Sequence, residues 1–122
     1  MPAYGAPGAM VLGPDSNLWV IVNRAGTTPS SAVSRVTTAG TFTDFPLPAG
    51  AGPTRLCAGP DGNIWVAENS ANKLARLVPS TGALTEYPLS VIGATITGLS
   101  GGPDGNIWFV EGSANRIGRL HP

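Results

Sequence analysis

Glu68 and Glu111 each stand three residues after a tryptophan in repeated segments, and they are the carboxylates whose spacing could serve a binding site. Two such groups facing one cavity would hold a cation or a polar ligand. A glutamate that recurs on a strand also serves by accepting hydrogen bonds from a neighbouring repeat, and the recurrence favours this structural role. Asp15, Asp61 and Asp104 begin Asp-x-Asn segments that mimic part of a calcium loop. They lack its further oxygen ligands and closing glutamate, so turn capping is expected and no metal site is assigned. Trp19, Trp65 and Trp108 could form an aromatic platform, but a ring that buries about 150–250 Å² at one recurring strand position is what packing between repeats requires. Arg35, Arg76 and Arg119 also recur at one position, with Lys73 and Arg116 nearby. Their distribution over separate repeats argues against a phosphate site, and a solvated strand or an ion pair with Asp44 or Glu86 accounts for them. No Gly-x-Ser-x-Gly, Cys/His metal spacing or phosphate-binding glycine loop occurs, so no catalytic residue is assigned. His121 is the one histidine and Cys57 the one cysteine, the latter read as a buried strand thiol.

The elements that must position these residues are set by a segment that occurs three times. Gly-Pro-Asp-Gly-Asn-Ile-Trp spans 59–65 and 102–108, and Gly-Pro-Asp-Ser-Asn-Leu-Trp spans 13–19. Proline sets the first turn angle, aspartate bonds the local backbone, and Gly62 and Gly105 take the positive φ that closes a hairpin before a buried strand. Ser16 stands at that position in the first copy and weakens the turn without abolishing it. Asp15, Asp61 and Asp104 are separated by 46 and 43 residues, a period that signals β-propeller blades of four strands. Strands are expected at 9–12, 18–22, 33–37 and 42–47, then 55–58, 64–68, 73–78 and 84–89, then 96–100, 107–111 and 116–120. The blades are thus about 7–47, 53–89 and 95–121, the third lacking its outer strand, within one partial propeller domain over 1–122. Alternation puts Trp65 and Ala67 on one face of their strand and Val66 and Glu68 on the other. No helix longer than one turn is expected.

Composition narrows the function classes. Seven basic and seven acidic residues cancel without a Lys/Arg cluster, so the electrostatic footprint of nucleic-acid binding is absent. No apolar run approaches the ~18 residues of a membrane helix, and the first residues do not read as a signal peptide. A soluble chain is expected, with its compartment left open. Only 11% of residues are charged, which suits a surface part of which is covered.

Residues 59–77 and 102–120, together with the endings Phe45-Pro46-Leu47 and Tyr87-Pro88-Leu89, resemble the streptogramin lyase family, a virginiamycin B lyase-like group similar to NHL-type propellers. The resemblance implies an all-β propeller. It also implies a magnesium-dependent lyase that opens a cyclic depsipeptide ester by elimination, using histidine and glutamate side chains. Glu68 and Glu111 match the family's Trp-x-x-Glu position, whereas a set of several histidines has no counterpart here. The expectation is therefore a non-catalytic propeller scaffold or binding module, with no cofactor unless the lyase reading holds; a fragment of a longer propeller is a further reading. A small-molecule or peptide ligand would meet the rim formed by the loops at 23–32, 48–53, 69–72, 90–95 and 112–115. Propellers close with about 4–8 blades, so three blades predict association with itself, as a homodimer forming a six-bladed ring.

Overall fold

The structure, a computed structural model, describes residues 6–23, 31–90 and 95–122; most of the rim insertion expected at 23–32, the centre of the 90–95 loop and the first five residues lie outside these. The described strands are β1 (Ala6–Leu12), β2 (Leu18–Asn23), β3 (Ser31–Val36), β4 (Phe42–Pro46), β5 (Pro53–Ala58), β6 (Ile64–Glu68), β7 (Lys73–Leu77), β8 (Leu84–Pro88), β9 (Ile96–Gly101), β10 (Ile107–Glu111) and β11 (Arg116–Leu120). One short 3₁₀ turn, Gly112–Ala114, precedes β11. The sheets are β1-β2-β3-β4, β5-β6-β7-β8 and β9-β10-β11, antiparallel throughout and sequential in order. The chain is all-β, and the third sheet has three strands among the described residues.

Each repeated turn closes in one way. The Gly59 amide donates to Asn63 O at 2.8 Å and the Gly62 amide to Gly59 O at 3.1 Å, while Gly62 sits at φ 81°. The third copy repeats this at Gly102 and Gly105, the latter at φ 83°, and in the first copy Ser16 is held at φ 65°. A side chain at that angle is disfavoured, so Ser16 carries a backbone cost that its glycine counterparts avoid.

The inner strands β1, β5 and β9 lie side by side, so the sheets fan out and stack face to face as blades do. Between the first two sheets, Trp19, Ile21 and Val33 meet Leu56, Ile64, Val66, Ala75 and Leu77, with Leu47 and Ala51 from the connecting segment. Between the second and third, Cys57, Trp65, Ala67 and Leu74 meet Ile96, Ile107 and Phe109. Alternation thus gives every sheet two faces with different duties: the tryptophan face packs on the next sheet, and the opposite face receives the previous one. Local volumes compensate. Phe109 lies opposite Gly118, where a Cβ would collide with its ring, while the same pairing in the second sheet is Val66 with Ala75. Gly101 permits a close approach between sheets, since a Cβ there would stand 2.9 Å from Pro60 Cδ and 3.0 Å from Ala58 O.

One expectation needs correction. Trp19 and Trp65 are fully buried, but Trp108 is 37% exposed rather than part of a core. Trp19 stacks on Phe45 of β4 and Trp65 on Tyr87 of β8, each at 5.4 Å between ring centroids. Among the described residues the third sheet offers Trp108 no fourth-strand ring and no following sheet.

Candidate functional site

The three aspartates are held in identical clasps. The Asp15 carboxylate accepts from the Trp19 indole at 2.9 Å and from the Asn17 amide and side chain at 3.2 and 2.9 Å. Asp61 binds Asn63 and Trp65 in the same way, and Asp104 binds Asn106 and Trp108. Partial burial pushes Asp15 and Asp61 upward, but these hydrogen bonds outweigh it and keep both below the ordinary carboxylate value. At Asp104 the indole bond, with Asn106, brings the group down to about 2. The clasp occupies the oxygens that a calcium ion would need and ties each turn to its own tryptophan.

The arginines are also placed differently from expectation. Register sets Arg35 opposite Trp19 and Thr43, on the face away from Ser34 and Asp44, and sets Arg76 opposite Trp65 and Thr85, away from Glu86. Their guanidiniums therefore lie over rings instead of pairing with those carboxylates: Arg35 at 5.7 Å from Trp19 and 5.6 Å from Phe45, Arg76 at 5.8 Å from Tyr87, and Arg119 at 5.6 Å from Trp108. Arg35 also donates to Pro79 O at 3.1 Å, which joins the first two sheets.

Glu68 ends β6 and is fully buried on the face that receives the first sheet. Neither of its oxygens has a hydrogen-bond partner among the described residues. Burial pushes its carboxyl up to about 8, reinforced by the nearness of Glu86, with Lys73 opposing. Glu68 therefore keeps its proton near neutrality, while the nearness of Glu68 and of Lys73 holds the Glu86 carboxyl below its ordinary value. Lys73 Nζ stands 3.6 Å from Glu86 Oε1. The sequence reading missed this Glu68–Glu86–Lys73 cluster; strand alternation across two hairpins was the signal, because all three fall on one face once the register is known.

Glu111 is buried at the equivalent position of β10, opposite Arg116. Its sheet face meets the second sheet, whereas that of Glu68 meets the first, so the two carboxylates belong to different layers. His121 Nδ1 pairs with Asn106 Oδ1 at 2.8 Å, at the opposite end of β10 from Glu111. Five residues of extended chain separate Asn106 from Glu111, roughly 17 Å. No three His, Cys, Asp or Glu side chains converge among the described residues. A magnesium ion of the kind the resemblance implies does not fit these residues, since the histidine, the proton-bearing Glu68 and Glu111 cannot share one coordination sphere. Cys57 is buried, which pushes its thiol up to about 11 and leaves it unreactive. No described helix is long and apolar enough to cross a membrane.

The rim loops do come together. Asn69 N donates to Gly52 O at 3.1 Å and Ala71 N to Ala51 O at 3.3 Å, while Gly112 N donates to Thr95 O at 2.9 Å. Asn69 bridges the second and third sheets by donating to Ile96 O at 3.2 Å and accepting from Ile96 N at 3.0 Å.

Comparison with known proteins agrees with this architecture. Virginiamycin B lyase from Staphylococcus aureus is 32% identical, with a TM-score of 0.83 over 95% of this chain and 38% of its own. A catalytically inactive variant of that enzyme, solved with Quinupristin, is 29% identical at TM-score 0.84, over 99% of this chain and 39% of its own. A streptogramin B lyase structure is 26% identical at TM-score 0.78, over 100% of this chain and 43% of its own. The chain thus spans about two fifths of the length of these relatives. No curated protein matches its sequence. Residues 1–122 match the virginiamycin B lyase family throughout, so the three sheets are lyase-type propeller blades and the chain belongs to that family.

Proposed function

We propose that the chain is a non-catalytic set of propeller blades that closes its ring by self-association and presents its rim loops as a binding surface. The observation that carries this reading is where its exposed apolar side chains lie. Met10 and Leu12 are 61% and 63% exposed on the receiving face of the first sheet, while Trp108, Val110 and Ile117 are 37%, 41% and 74% exposed on the tryptophan face of the third. Inside the chain, faces of these two kinds pack on each other twice. A third such contact, made head to tail between two copies, gives two junctions and six blades, each junction burying on the order of 800 Å² per partner. Light scattering after size exclusion should report about twice the 12.4 kDa chain mass. A folded monomer at micromolar concentration would overturn the reading.

Family membership favours a second reading, a magnesium-dependent lyase of the virginiamycin B type. Incubation with a cyclic depsipeptide and magnesium, followed by mass analysis for the ring-opened product, decides between them. Turnover by the 122-residue chain would replace the first proposal with the second.

A further inference from the structure

The turn ends of the first two sheets, opposite the rim loops, enclose a cavity of about 360 Å³ bordered by Pro14 and Asp15 of one turn, Asn63 of the next, and Val78 and Pro79 after β7. The third sheet shows what such a place can hold. Ile64 pairs with Leu77 in the second sheet, and Ile107 pairs with Leu120 in the third. The next residues outward are therefore Asn63 and Val78 in one sheet and Asn106 and His121 in the other. His121 donates from Nδ1 to Asn106 Oδ1 at 2.8 Å, and Asn106 is buried. Val78 has no polar side-chain atom to offer Asn63, which is half-buried. Both asparagines otherwise bond alike, each donating from its main chain and its Nδ2 to the aspartate of its own turn. The cavity thus presents the asparagine that receives an imidazole in the third sheet, with a valine where the imidazole would be.

We infer that this cavity is a binding site for a small molecule bearing an imidazolium ring, which donates from one nitrogen to Asn63 Oδ1 and from the other to the Asp15 carboxylate. Asp15 Oδ1 accepts from the Asn17 amide and the Trp19 indole, whereas Oδ2 accepts from Asn17 Nδ2, so Oδ2 keeps capacity for a further donor. Those bonds hold Asp15 below the ordinary carboxylate value, so it is ionised where an imidazole ring is cationic, below about pH 6.5. Pro14, Val78 and Pro79 supply apolar walls for the faces of the ring. The Arg35 guanidinium, which reaches this end of the molecule, is engaged by Pro79 O and lies over the Trp19 and Phe45 rings. A cavity of this volume closed in by turns takes one substituted ring and not a length of chain, which makes the ligand a small molecule. The bordering residues all belong to the first two sheets and their turns, so the site does not depend on ring closure.

The test follows the indole N–H signals of the three tryptophans in proton–nitrogen correlation spectra of the whole protein while imidazole is added at about pH 6. The Trp19 indole donates to Asp15, so its signal should shift saturably at millimolar imidazole, while those of Trp65 and Trp108, bound to Asp61 and Asp104, stay in place. Pyrazole, a neutral ring of the same size, should bind more weakly. Asp15→Asn should weaken imidazole binding by about two- to fivefold, the range for one exposed charge pair. Val78→His supplies the ring from the chain itself and should abolish the response. His121→Val removes it from the third sheet and should make the Trp65 signal respond as Trp19 does. Thermal melting checks that each variant is folded, and if Val78→His is not, His121→Val and Asp15→Asn still decide. No saturable shift at millimolar imidazole, equal shifts of all three indoles, equal binding of pyrazole, or an unaltered response in folded Val78→His overturns the proposal. Binding of N-acetylhistidine amide where imidazole shows none also overturns it, because the site would then belong to a peptide. A monomeric mass in solution would remove ring closure and leave the indole result intact.

Discussion

Glu68 keeps its proton because burial withdraws its carboxyl from water, with Glu86 nearby adding to the effect, and the direction of its pH effect follows. In the unfolded chain the group titrates near 4.5, in the folded chain near 8. Its contribution to stability is therefore complete below about 4.5 and is lost as the pH rises through about 8. Glu86 acts in the opposite sense: its folded value lies below 4.5, so its contribution is present above that value and is lost in acid. Asp15, Asp61 and Asp104 join it on the acid side, with folded values below 3.8. The melting temperature should peak in mildly acidic solution and decline toward about pH 8. Glu68→Gln, which keeps the shape and removes the titration, should raise the melting temperature on the alkaline side and change it little near about pH 5. An equal effect at both would remove the proton from this account. The sequence placed Glu68 on a buried strand and favoured a structural role, but Glu86 lies 18 positions away and its approach depends on the joint register of three strands.

Among elements, the turn and the outer strand decide what each tryptophan is worth. Trp65→Ala should cost about 3–5 kcal/mol, the range for emptying a buried aromatic site. Trp108→Ala should cost less, because its ring lacks the stacked aromatic that Tyr87 supplies to Trp65. Urea denaturation of the two variants measures both, and equal losses would contradict the packing described here. Ser16→Gly should stabilise by about 0.5–1 kcal/mol, since it releases a serine held at φ 65°; an unchanged midpoint would show that the angle costs nothing. Strand positions and turns were legible because Gly-Pro-Asp-Gly-Asn repeats the same local chemistry. The burial of Trp108 was misjudged because the sequence repeat is local, whereas burial comes from the fourth strand and the next sheet. The arginines over the rings were missed for a related reason: cross-strand alignment, and not chain distance, puts Arg76 opposite Trp65.

Across the whole molecule, the blade count and the unequal third sheet were readable from spacing, but which residues remain exposed on the end faces was not. Those faces give a direct test of assembly. Ile117→Asp places a charge on a side chain that is 74% exposed, so folding should be retained. The mass in solution should fall from about twice 12.4 kDa to the chain mass, because the junction would bury an unpaired carboxylate. An unchanged mass would move the contact elsewhere. The strictly sequential strand order has a further consequence, for kinetics. Every strand pairs with its neighbour in the chain, so pairing within a sheet closes only short loops and its entropic cost is low. Each sheet can form as soon as its own segment is available, and docking of finished sheets becomes the slow step. Pulse-labelled amide exchange should therefore find β6 and β7 protected early, with the tertiary signal of Trp65 appearing later, as its layer against the third sheet closes.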